Sequence, residues 1–196
     1  LFEMMSDQYQ MQSKKFLRKF FVDRRNDYFE EYDKKNNAHT HLKIILENTK
    51  PCVVGSYLPF RNEFSTQLLN DELNKLNFNL SLPCINKNDS SMIFRNYTSD
   101  SSLVPNIYGI LEPSQNAEEV VPSIIIAPLV AFSLAGYRLG YGGGYYDRYI
   151  EKNLDNKSLI KIGLGFSFQK YDKLPNENHD QKLDWILTEN YLYKVK

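Results

Sequence analysis

Cysteine is scarce in this chain: Cys52 and Cys84 are the two in 196 residues, each in an apolar, strand-like stretch. That excludes a disulfide framework and points to reduced, buried thiols in a reducing cytoplasm. Excess charge is missing too, because 24 Lys and Arg balance 24 Asp and Glu. With nothing to condense on a phosphate backbone or an acidic bilayer, nucleic acid and membrane are not expected as partners. Long hydrophobic runs are also lacking. The longest, 124–136, has about 13 residues and is broken by Pro128 and Ser133, whereas a membrane span needs roughly 20. The opening LFEMMSDQYQ lacks the basic and apolar regions of a secretory signal. No repeat, low-complexity tract or compositional break divides the chain, so a single domain is expected, and a monomer.

What is present is an alternation of helical and strand patterns. Over 13–32, Phe16, Leu17, Phe20, Phe21, Tyr28 and Phe29 recur at three- and four-residue steps, which predicts an amphipathic helix. Leu42, Ile45 and Leu46 continue that period in a second helix, ended before Pro51. A strand at 52–58, a helix at 64–76 with Phe64, Leu68, Leu69, Leu73 and Leu76 inward, and a strand at 79–85 read as a βαβ unit. Further strands are expected at 92–97, 124–129, 161–166 and 183–187, and a helix at 145–154. The all-apolar Ile124, Ile125, Ile126 and Ala127 suit a strand covered on both faces of a mainly parallel sheet. Polar connectors separate these elements at 86–91, 98–102, 112–119 and 175–181.

The chemistry concentrates in Gly136-Tyr-Arg-Leu-Gly-Tyr-Gly-Gly-Gly-Tyr-Tyr-Asp-Arg148, between the buried strand and a helix. Gly140, Gly142, Gly143 and Gly144 strip side chains from a loop whose amides, with those of the next helix, can converge on an anion. Asp147 would then stand in the first helical turn, where a carboxylate can take one position on Mg²⁺. A flexible turn followed by a dipole-favoured carboxylate explains the same residues. No Gly-Lys-Ser/Thr is present, and the spacing fails the dinucleotide fingerprint, so neither a Walker ATPase nor a Rossmann dinucleotide reader is supported. Gly165-Phe-Ser167-Phe begins like a hydrolase nucleophile elbow, but Gln169 replaces its final Gly.

The string Arg138-Leu-Gly-Tyr-Gly-Gly-Gly-Tyr-Tyr-Asp-Arg148 resembles the signature of the 5-formyltetrahydrofolate cyclo-ligase family. The resemblance extends, in the family's order, to Lys14-Lys-Phe-Leu-Arg18, Tyr57-Leu-Pro-Phe-Arg-Asn-Glu63, Tyr108-Gly-Ile-Leu-Glu-Pro113, His179-Asp180-Gln-Lys-Leu-Asp184 and Thr188-Glu189. It leaves out residues 1–12, expected as a flexible extension. It implies a three-layer α/β/α Rossmann-like domain and an enzyme that uses ATP as co-substrate with Mg²⁺. The implied reaction phosphorylates the formyl oxygen of 5-formyltetrahydrofolate and closes the methenyl bridge.

By the same resemblance, Lys14, Arg18 and Arg138 bind ATP, with Leu139, Gly140, Tyr141, Gly142, Gly143, Gly144 and Tyr146 around the phosphates. Asp147 and Asp180 hold the metal; Glu63, Tyr108 and Tyr145 contact the folate; Tyr145, Arg138 and Asp147 act at the reacting atoms. The positions of Tyr141 and Gly143 are basic in some relatives, and their absence here throws weight onto backbone amides. Physically, Lys14 and Arg18 lie four residues apart on one helical face, as two cations gripping a triphosphate require, though a solvated basic face reads the same. Glu63 can pair with adjacent ring donors or merely start a helix. Asp180 has the reading of an exposed turn, and Asp184 is expected to be structural. His179 and the His39, His41 pair do not make a zinc set. Two alternatives remain at this level: a non-catalytic phosphate-binding protein, and a sugar-phosphate isomerase or coenzyme A transferase on the same architecture.

Overall fold

The computed structural model describes residues 13–86, 88–155 and 158–196, and the expectation for residues 1–12 lies outside them. Helix α1 (Lys14–Asp33) begins where the Ser13 side chain accepts the Phe16 amide, and α2 (Ala38–Leu46) buries Ala38, Leu42, Ile45 and Leu46. Strand β1 (Val53–Gly55), helix α3 (Gln67–Lys75) and strand β2 (Asn79–Ile85) form the expected βαβ unit, with β1 and β2 parallel. They are followed by β3 (Met92–Tyr97), β4 (Leu103–Pro105), β5 (Leu111–Pro113), β6 (Glu119–Val120) and β7 (Ile124–Pro128). Then come β8 (Ala131–Phe132), β9 (Arg138–Leu139), α4 (Tyr145–Lys152), β10 (Ile160–Leu164), β11 (Trp185–Leu187) and β12 (Leu192–Lys194).

Eight strands make the main sheet in the order β12-β11-β10-β7-β1-β2-β3-β6. The central five, β11 to β2, run parallel, while β12, β3 and β6 pair antiparallel at the two margins. β7 shows why three layers result. Its alternate residues Ile124 and Ile126 join a core with α2 and α3, whereas Ile125 and Ala127 join a second core with Tyr149 of α4. A strand apolar on both faces needs a helical layer on each side. Residues Leu17 and Phe21 of α1 make a third core with Val130, Ala131 and Leu139, so α1 closes over the carboxyl end of β7.

Two expectations are corrected. α3 starts at Gln67 rather than at residue 64, because the Thr66 hydroxyl bonds to the Tyr57 carbonyl and the Tyr57 hydroxyl to the Phe64 carbonyl, holding 64–66 as a loop. Leu68 and Leu76 face solvent at 44% and 38% exposure, so only Leu69 and Leu73 of α3, together with Phe64 ahead of it, are inward. The short pairs β4 with β5 and β8 with β9, and the edge strands β6 and β12, carry too few residues to show a period in sequence.

Candidate functional site

β1 has β2 on one side and β7 on the other, and the connections leaving β1 and β7 diverge to opposite sides of the sheet. Ligands of open α/β sheets gather at such a switch point, outside the carboxyl ends of the strands. Segment 56–66, carrying Glu63, leaves β1 there. From β7 the chain runs through β8 and β9 into the Gly loop and α4. The stripe Lys14, Arg18, Phe21 and Arg25 of α1, spaced four, three and four residues, crosses both.

At one end the charges are paired. Lys14 Nζ lies 2.7 Å from Asp180 Oδ2 and 3.0 Å from Glu177. Burial pulls the Lys14 pKa down, but these two carboxylates outweigh it and hold the ammonium above its ordinary value. Burial pushes Asp180 up, yet the Lys14 hydrogen bond and the Glu177 amide bring its carboxyl below the usual range. Arg138 Nη2 lies 3.1 Å from Asp147 Oδ1, which also accepts the Gln181 amide at 3.0 Å. Arg138 Nη1 donates to the Gln181 carbonyl at 3.2 Å. Asp147, in the first turn of α4, is thereby stitched to the segment that carries Asp180, which is no free turn aspartate. Arg18 Nε donates to the Gly140 carbonyl at 2.8 Å and its guanidinium lies against Gly142. Gly142 at φ +103° and Gly144 at φ +67° adopt backbone that L side chains rarely take, which explains glycine at both.

At the other end the charges are buried and unmatched. Glu63 is 5% exposed and accepts the Phe60 amide at 2.9 Å. It stands ahead of α3 rather than in its first turn, so the helix-start reading does not hold. Burial pushes its pKa up to about 7, opposed in part by the Phe60 N–H and by Arg25. Tyr57, Tyr141 and Tyr146 lie within electrostatic reach of the same carboxylate, and burial raises the pKa of all three. The Tyr141 side chain therefore points to the Glu63 end, although its backbone belongs to the Gly loop. Tyr146 packs under the Arg138 guanidinium, 5.8 Å from ring centre, with its hydroxyl buried. Leu139 is buried in the core beneath α1, leaving only its main chain for a ligand.

Beside Gly143 and Arg148, the hydroxyls of Tyr108 and Tyr145 meet at 3.3 Å although 37 residues separate them. Tyr108 sits in the turn joining β4 to β5, where the Asn106 side chain accepts its amide, and is exposed. Asp184 accepts the Lys161 amide at 2.8 Å, a sheet-end contact that agrees with a structural role. Among the described residues no group of three or more His, Cys, Asp or Glu could hold a metal, and no helix is long and apolar enough to cross a membrane.

Residues 10–189 match the 5-formyltetrahydrofolate cyclo-ligase family. The chain belongs to that family. The match includes residues 10–12, which the sequence resemblance left out. Among curated relatives it is similar to the 5-formyltetrahydrofolate cyclo-ligase of Haemophilus influenzae, 34% identical over 163 residues, covering 81% of this chain and 87% of the relative. The enzyme of that name from Escherichia coli K12 is 31% identical over 160 residues, covering 79% and 85%. Among solved structures, the Aquifex aeolicus 5,10-methenyltetrahydrofolate synthetase superposes with TM-score 0.73 at 30% identity, covering 93% of both chains. The Mycoplasma pneumoniae synthetase gives 0.69 at 25% identity over 90% of this chain and 99% of its own.

One buried charge within reach of Glu63 escaped the sequence reading: Arg25, fully buried against Tyr141 and Arg61. A signal was available. Arg25 follows Leu17 and Phe21 at helical steps, so it places a charge on the stripe of α1 that turns inward.

Proposed function

We propose that the protein catalyses the ATP-dependent cyclisation of 5-formyltetrahydrofolate to 5,10-methenyltetrahydrofolate, releasing ADP and phosphate, and that it does so in the cytoplasm. The observation that carries this reading is the convergence of Lys14, Arg18, Arg138, Asp147 and Asp180 at one end of a site whose other end holds the buried Glu63. A formyl oxygen is a poor leaving group; transfer of the γ-phosphoryl group turns it into phosphate, which departs when the neighbouring aniline nitrogen attacks the formyl carbon and gives up its proton. Such a reaction asks the protein for positioning and charge neutralisation more than for covalent chemistry.

Lys14 and Arg18, on one face of α1, grip the phosphates from one side, and the amides at the start of α4 from the other. Arg138 fixes Asp147. Tyr145 and Tyr108 border the reacting end of the folate, and Glu63 accepts hydrogen bonds from the pterin ring. The carboxylates fit a hard cation: Asp147 and Asp180 each spend one oxygen on the positioning contacts, leaving the second to Mg²⁺, whose shell phosphate oxygens and water would complete. When bound, the metal neutralises phosphate charge. The test is to incubate the pure protein with 5-formyltetrahydrofolate and MgATP and follow the near-ultraviolet absorbance of the methenyl product. The reading predicts an ATP-dependent rise; its absence with folded protein, beside an active relative as control, overturns it.

A further inference from the structure

Arg25 is the one charged side chain among the largest fully buried ones, at 0% exposure. A guanidinium has five N–H donors and stays protonated in a protein. Nη2 donates to the Arg61 carbonyl at 2.7 Å and to the Tyr141 hydroxyl, while Nε and Nη1 find no hydrogen-bond partner among the described residues. Glu63 feels Arg25 electrostatically, yet its carboxyl accepts from the Phe60 amide, and among the described residues no ion pair joins it to Arg25. A buried cation and a buried carboxyl thus lie within electrostatic reach of each other and unjoined. Leaving buried donors unmade costs stability, and so does burying an unpaired charge. A core that tolerated this for packing alone would do better with an apolar side chain.

The arrangement makes sense if a ligand joins the two groups. A phosphate would satisfy Arg25 but meet the Glu63 carboxylate; a cation would do the reverse. An edge that carries an acceptor beside donors satisfies both. The ring of a reduced folate has that edge, with its C4 carbonyl next to N3–H and the 2-amino group. We propose that Arg25 is a substrate-binding residue that donates to the C4 carbonyl of the pterin while Glu63 accepts from the adjacent N–H groups. This rests on the folate reading of Glu63 and extends it to the residue that reads the carbonyl.

Position along α1 supports the assignment. Arg25 lies seven residues, about 10 Å of helix, beyond Arg18, which reaches the Gly loop. The two arginines on one stripe thus serve different ends of the site. Tyr141 lies over the Arg25 guanidinium, 5.6 Å from ring centre, and is exposed on its outer side. It stands between Gly140 and Gly142, and it covers Arg25 until the ring enters and displaces it.

The experiment compares 5-formyltetrahydrofolate with its 4-amino-4-deoxy counterpart, in which the carbonyl acceptor becomes an amino donor and N3 loses its hydrogen. Both are titrated calorimetrically against wild type, Arg25→Gln and Glu63→Gln, with ATP titrations and melting curves as controls. Wild type is expected to prefer the 4-oxo ring by roughly tenfold to a hundredfold, the range for a hydrogen bond to a charged group. Arg25→Gln should cut that preference several-fold by weakening only the 4-oxo ligand, the remainder resting on the N3–H that Glu63 reads, and leave ATP affinity unchanged. Equal binding of both rings by wild type overturns the proposal without any variant, so a poorly folding Arg25→Gln does not shelter it. Loss of ATP affinity with folate binding intact assigns Arg25 to the nucleotide and also overturns it. If Glu63→Gln leaves both rings bound as in wild type, the folate reading itself fails; if Glu63→Gln weakens folate binding while Arg25→Gln keeps the wild-type 4-oxo preference undiminished, only the Arg25 assignment fails.

Discussion

The two ends of the site handle charge in opposite ways. Around Lys14, Asp180, Arg138 and Asp147 every charge has a protein partner within 3.1 Å, and all but the buried Arg138 keep part of their surface in solvent. Around Glu63 and Arg25 the charges are sealed from water and unjoined. A triphosphate with a metal ion brings charge that a solvated, self-neutralised cluster can exchange for its internal pairs at little cost. A neutral ring brings only hydrogen-bonding groups, and these bind tightly where water cannot compete and the protein's own donors and acceptors are left wanting. The polar end is built for exchange, the buried end for discrimination.

The sharpest break of this contrast is at the paired end. Asp147→Asn should lower turnover by about 100-fold, the order of effect of removing a preorganised charged group, since it loses both the Arg138 pair and a metal oxygen. Asp180→Asn should cost less, and both should raise the magnesium concentration needed for half-maximal rate. Wild-type-like magnesium dependence in both variants refutes the metal site.

At the buried end Glu63→Gln replaces an acceptor with an amide donor that faces the ring's own donors. Folate affinity should fall by about one to two orders of magnitude, the value of a hydrogen bond to a charged group, with ATP affinity unmoved. Calorimetric titration of both ligands checks it, and equal losses for both would erase the distinction between the ends.

The pH response separates the ends further. With its folded pKa near 7 and an ordinary value of 4.5, Glu63 holds in the folded protein a proton that the unfolded chain releases. Its contribution to stability is therefore complete below about pH 4.5 and is lost as pH rises through 7, on the order of 3 kcal/mol in all. Glu63→Gln should remove that slope from melting curves taken between pH 4.5 and 7. Because the ring binds the carboxylate form, folate affinity should rise with pH up to about 7 and then level off, with proton release on binding near pH 6. A flat profile would show that the carboxyl does not titrate on binding.

The smallest effect is expected at Lys14 and Arg18. Either change to Ala should weaken ATP by about fivefold, the scale of a partly exposed ion pair, and more at high salt, leaving folate binding in place. Unchanged ATP affinity in the double variant returns this face of α1 to a solvated role.

Much of the fold could be read from sequence because periodicity reports burial directly. The unbroken apolar residues 124–127 located β7 and implied a layer on each face, and the three- and four-residue steps in 13–32 located α1 to within a residue at each end. The start of α3 was misplaced because Phe64 keeps the helical period while lying in a loop held by Tyr57 and Thr66, contacts across seven and nine residues. Leu68 and Leu76 look inward in sequence yet face solvent, because hydrophobicity does not say which side of a short helix meets the sheet. Strands of two or three residues such as β6 and β8 are set by their neighbours and have no period of their own.

For the site the division is similar. By itself the sequence determined which chemical groups exist and which share an element: the Gly loop with Asp147 at a helix start, and Lys14 with Arg18 four residues apart on one face. It could not determine which of them are partners, because the pairing of Lys14 with Asp180 spans 166 residues and that of Arg138 with the Gln181 carbonyl spans 43. Nor could it show that Glu63 and Arg25 are buried together, since both are residue types that ordinarily lie in water. Only the crossing of α1 over the ends of β1 and β7 puts them out of solvent, and desolvation, a property of the assembled fold rather than of any residue, is what turns an ordinary carboxyl and an ordinary guanidinium into groups that await a ligand.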